Sequence, residues 1–147
     1  MIRAVQRLLI EMGEAACYFI AIAWNATLAG RVVSLVDDFF ACVQAAWIHY
    51  NEANPDDPDN CYIEDAGAVF SYLMGEPGQW EYVHEGPDYE LQPGEYGCAR
   101  YERKKTGATL SHFIGFTSSA SYDPMGLSLT VAQGTRVSTR IFRKKGR

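Results

Sequence analysis

The sixteen residues from Ala15 to Gly30, "AACYFIAIAWNATLAG", carry no charge, and Asn25 and Thr27 are the only side chains among them with an amide or alcohol group. A bilayer span needs about 20 such residues, so this run is too short to cross one. Apolar residues occupy every side of the helix that "ACYFIAIAWNATL" predicts, so it must be buried nearly all round. Any fold for this chain has to wrap that rod. Gly30 marks its end. The segment is also a poor secretory signal, because Glu11 and Glu14 interrupt the passage from basic to apolar residues. Glu14 stands where a lipoprotein site before Cys17 wants a large apolar residue. The chain therefore reads as soluble, cytoplasmic and reduced, with free thiols and no membrane partner.

The rest of the pattern divides in two. A helical half covers about 1–76 and a strand-rich half about 77–147 of a single domain, 1–147. A short amphipathic turn or helix is expected over 3–12. A second long helix follows in "SLVDDFFACVQAAWIHYNEA", where Leu35, Phe39, Cys42, Ala46 and Tyr50 recur at helical spacing and Ser34 is the expected cap. His49 would lie near its C-terminal end, where the dipole favours a cation. "NPDDPDN" breaks the chain, and "IEDAGAVFSYLMG" resumes a helix ending at Gly75. After Pro77 come five strand patterns: "QWEYVHE", "EYGCARYERKK" with Gly97 as a candidate bulge, "LSHFIGFT", "ASYDP" and "RVSTRIFRKK". Helices first and an antiparallel sheet second give the α+β class.

Charge is split along the same line. Residues 1–98 hold three basic and sixteen acidic residues, a net of −13, whereas residues 99–147 hold ten basic and two acidic, a net of +8. The simplest account is mutual attraction of the two halves. No nucleic-acid motif or stacking pattern accompanies the basic tail "RIFRKKGR", which argues against a nucleic-acid partner. The four cysteines and three histidines have no metal-site spacing, so neither a metal nor a cofactor is expected. The acidic loop Asp56, Asp57, Asp59 lacks the glycine and spacing of a calcium loop.

Chemistry concentrates at three residues. Cys17 opens the buried helix, where free N–H groups and the helix dipole stabilise a thiolate. His112 lies in an apolar strand and needs a polar partner. Asp123 follows eleven residues later, just before Pro124. A hairpin turning through Ser118–Ser119 places His112 diagonally beside Asp123, and one through Thr117–Ser118 makes them direct neighbours. A three-residue loop would put them on opposite faces.

The order Cys, His, Asp, with "CYF" at a helix start and "HFIGF…YDP" in the sheet, resembles the papain-like cysteine peptidases. It is most similar to the leader-peptide-processing branch and to small uncharacterised cysteine peptidases of bacteria and phages. That resemblance implies a papain-like fold and hydrolysis of a peptide or amide substrate through a thioester. Cys17 would be the nucleophile, His112 the base and then acid, and Asp123 the orienting carboxylate. The resemblance also implies an oxyanion glutamine about six residues before the cysteine, where this chain has Glu11. An ionised carboxylate there repels an oxyanion. Glu11 would have to be protonated, or replaced in that role by Gln6 or the Cys17 backbone N–H. The alternative is an inert papain-like binding module.

Overall fold

The computed structural model describes residues 16–126 and 128–146. The expected turn or helix over 3–12 and the oxyanion candidates Gln6 and Glu11 lie outside them. Among the described residues the class is α+β: three helices precede the sheet and a short fourth interrupts it.

Helix α1 (Cys17–Leu28) is the apolar rod, and eight of its twelve side chains are buried. The nitrogen of its buried amide is satisfied across the fold, since Asn25 Nδ2 donates to Gly97 O at 2.8 Å and to Ala21 O at 3.2 Å, while Oδ1 accepts no hydrogen bond among the described residues. Gly30 at φ +88° ends it, with the N–H groups of Gly30 and Arg31 reaching back to Thr27 O and Ala26 O. Helix α2 (Leu35–Gln44) buries Leu35, Phe39 and Cys42. Ser34 is its N-cap residue, as expected, but the hydroxyl makes no bond to a helix N–H. Ser34 Oγ donates to Asp37 at 3.1 Å, and Asp38 Oδ2 accepts from the Ser34 N–H at 2.9 Å, so a carboxylate inside the helix holds the residue before it.

The expected continuation of α2 through Tyr50 does not form. Ala46 takes the left-handed conformation, φ +64°, and the N–H groups of Ala46 and Trp47 close back on Val43 O and Cys42 O. Beyond that turn Ile48 bridges to Ile63. His49 therefore sits on a loop, 2.9 Å from Asp57, rather than at a helix end. Helix α3 (Ala66–Leu73) starts at Asp65, whose Oδ1 accepts from the Ala68 N–H at 3.0 Å.

The strands are β1 (Trp80–Glu85), β2 (Tyr96–Lys105), β3 (Ala108–Phe116), β4 (Ser121–Tyr122) and β5 (Thr135–Lys144), with α4 (Leu129–Gln133) ahead of β5. All pair antiparallel in the order β1-β5-β2-β3-β4, so the last strand is inserted between the first two. The bulge expected at Gly97 falls instead between Arg100 and Tyr101, where the β2–β5 register shifts. Gly97 serves a different need, since a Cβ there would sit 2.7 Å from the Phe116 ring. The charge split is met across the domain: Arg143 pairs with Glu95 at 3.1 Å, and Lys144 pairs with Glu76.

The sheet separates two cores. Helices α1, α2 and α3 cover one face and form the larger core with Phe70, Trp80, Cys98 and Phe142. Ala99, Ile114, Phe116 and Ile141 form the smaller core on the other face, beneath Tyr89, Leu91 and Val131.

Candidate functional site

Strand β3 presents alternate residues to these two faces. Its pairing with β2 runs without a break from Gly97↔Phe116 to Lys105↔Ala108, so the alternation holds over the whole strand. Phe113 faces α1, stacked on Tyr18 with ring centroids 4.0 Å apart. Gly115 faces it too, because a Cβ there would lie 2.4 Å from the Trp24 ring. Ile114 and Phe116 point the other way into the smaller core, and His112 shares their side.

The structure brings two of the three candidate residues together. Gly115↔Tyr122 and Phe116↔Ser121 are the register of the Ser118–Ser119 turn, and His112 Nε2 lies 2.6 Å from Asp123 Oδ1. The pair is well buried, its side chains 5% and 13% exposed. Asp123 also accepts from the Met125 N–H at 2.8 Å and the Ser128 N–H at 3.2 Å. It thereby ties the turn before α4 to β3.

Cys17 lies on the other side of the sheet. It is 5% exposed and lines a cleft of about 650 Å³ at the head of α1, together with Tyr18, Cys61, Phe113, Arg100 and Arg140. His112 is not part of that lining. The thiol and the imidazole thus occupy opposite layers, with β3 between them. The expectation that Cys17, His112 and Asp123 share one site does not fit this arrangement. Its physical cause is the docking of α1 on the odd-numbered residues of β3.

The cleft has two unlike walls. On the sheet wall, Arg100 is neutralised by Glu102 at 2.8 Å and donates to Ser111 Oγ at 2.8 Å. Arg140 donates to Ser138 Oγ at 2.7 Å and lies 5.7 Å from the centre of the Phe113 ring. It forms no ion pair among the described residues. The opposite wall, from the loop before α3, contributes Asp59, Glu64 and Asp65. The buried Tyr18 hydroxyl has no hydrogen-bond partner of ordinary geometry. Burial, followed by the neighbouring Cys98 and Tyr82, pushes its pKa well up, and the Arg140 guanidinium beside it offsets only part of that. His84, opposite Arg140 on β1, is pushed down by desolvation and then by Arg140 and Arg100.

No disulfide forms among the four cysteines. Burial pushes Cys42 up to about 12, and burial with Cys17 nearby pushes Cys61 up to about 11, so both stay protonated near neutral pH. Among the described residues no group of acidic, histidine or cysteine side chains could hold a metal ion, and no helix is long and apolar enough to cross a membrane.

The arginine wall was not singled out from sequence, yet a signal for it exists. Arg100 stands two residues after buried Cys98, and Arg140 two before buried Phe142. In a strand that spacing turns both arginines toward the covered face. No known protein family, curated protein or solved structure matches the chain.

Proposed function

We propose that this chain is a ligand-binding domain of papain-like ancestry that does not hydrolyse its ligand, and that the cleft at the head of α1 is its binding site. The observation that carries this reading is the separation of Cys17 from the His112–Asp123 pair by the thickness of β3. A general base must come within hydrogen-bond reach of the thiol it activates. With His112 turned to the smaller core, its bond to Asp123 acts as a latch, fastening the 123–128 turn to the sheet.

The cleft has what a binding site requires. Its volume lies within the range of about 300–1,000 Å³ typical of small-ligand sites. Aromatic faces line it, and a few polar groups converge on it.

The test is alkylation of Cys17 by iodoacetamide at pH 6, followed by peptide mapping. The substitution His112→Gln should leave the rate at Cys17 within about twofold, because His112 faces the side of β3 away from α1. A drop of tenfold or more, with circular dichroism unchanged, would place thiol and imidazole in one site and restore the hydrolase reading.

A further inference from the structure

Arg140 is a half-buried guanidinium facing the cleft with no carboxylate partner among the described residues, and the Tyr18 hydroxyl beside it is buried without an acceptor. Both groups retain unused hydrogen-bonding capacity among the described residues. A partly desolvated cation wants an anion, and a buried O–H wants an oxygen. One planar carboxylate answers both, taking two parallel N–H bonds from the guanidinium and a third from the hydroxyl. Arg100 cannot compete for it, being already engaged by Glu102 and Ser111.

The facing wall narrows the class further. Asp59 and Glu64 would repel a phosphate or nucleotide but attract an ammonium group. Asp65 adds to that field while its oxygen is held by the α3 cap. A cleft of about 650 Å³ has room for more than one amino acid. Tyr82 and Tyr62, 39% and 61% exposed, offer faces for apolar side chains along it.

We infer that the cleft binds a short zwitterionic peptide, its C-terminal carboxylate held by Arg140 and Tyr18 and its cationic end turned toward Asp59 and Glu64. This rests on the non-hydrolytic reading above.

The experiment titrates the isotope-labelled full chain with a pool of random tetrapeptides bearing free carboxylates, and with the same pool C-terminally amidated. The free acids should shift the Arg140 Nε signal and the Tyr18 and Phe113 amides, and amidation should weaken binding about tenfold or more. Arg140→Gln should abolish the shifts. Tyr18→Phe should weaken binding about fivefold, because the ligand carboxylate loses the hydroxyl donor while Arg140 keeps its contact with Ser138.

Equal binding of the amidated pool, silence at millimolar peptide, or tighter binding of adenosine monophosphate would each overturn the ligand assignment. Cleavage of the pool, read by mass spectrometry, would instead overturn the non-hydrolytic reading. A silent pool recovered intact leaves that reading standing and removes the peptide alone.

Discussion

The two faces of β3 carry the same kind of raw material to different ends. On one face a histidine meets an aspartate at 2.6 Å under a closed apolar cover. On the other a cysteine lines an open cleft with arginines and aromatic rings. A polar pair mostly buried from solvent holds a fold together. A polar wall around an open cleft can receive something. Neighbours in sequence, such as His112 and Phe113, fall on different sides of that distinction because strand geometry alternates with every residue.

Three substitutions probe the contrast, and the largest effect belongs to the sealed face. His112→Ala should cost about 2–3 kcal/mol in urea unfolding, since Asp123 keeps only backbone donors in a mostly buried position. A cost below about 0.5 kcal/mol would mark the pair as dispensable to the fold and point back to chemistry.

Next is Gly115→Ala on the cleft-side face, where the added methyl would lie 2.4 Å from the Trp24 ring. Overpacking of this kind costs about 1–3 kcal/mol. The expected value is about 2 kcal/mol, with the α1–β3 contact the first to loosen in hydrogen exchange. If this alanine is tolerated freely, α1 does not dock on the odd-numbered side of β3, and the separation of thiol from imidazole falls with it.

The smallest effect belongs to the loop beside the cleft, where the Asp59 N–H donates to Asp57 Oδ1 at 2.9 Å. His49 and Asp57 pair on an exposed loop, with His49 held above its usual 6.5 and Asp57 below its usual 3.8, each chiefly through their hydrogen bond. The raised histidine contributes fully below pH 6.5 and loses its contribution as pH rises through its folded value. The lowered aspartate contributes above pH 3.8 and loses its contribution as pH falls through its own. The pair is therefore intact between those limits. Asp57→Asn should return the His49 NMR titration toward 6.5 and shift the Asp59 amide it holds, while leaving the backbone signals of His112 and Arg140 unmoved. A disturbance reaching Arg140 would show that this loop is coupled to the sheet wall of the cleft.

Much of this architecture could be read in advance, for reasons tied to local chemistry. The sixteen uncharged residues required a buried helix, and Gly30 supplied its left-handed stop. The β3–β4 register was among the few that a tight turn near Ser118 permits, and it delivered the His112–Asp123 contact. What escaped depends on distant parts of the chain. Nothing about Ala46 announces a left-handed stop, because the conformation that glycine adopts freely is here imposed on alanine by the Ile48–Ile63 bridge and the loop it closes. Helix α4, five residues long, is too short to show a period. The decisive miss was the side of β3 on which α1 lies. Alternation says which residues share a face, but only the packing of Tyr18 on Phe113 and Trp24 on Gly115 says which face the helix takes.

The insertion of β5 between β1 and β2 also bears on how the chain is made. During synthesis those earlier strands emerge with no partner for their facing edges, because the segment that bridges them is translated after every other element of the sheet. Folding therefore waits on a long-range closure and is expected to be slow. In that interval the nascent chain exposes unpaired strand edges, the condition in which chaperone capture or aggregation competes with the native state.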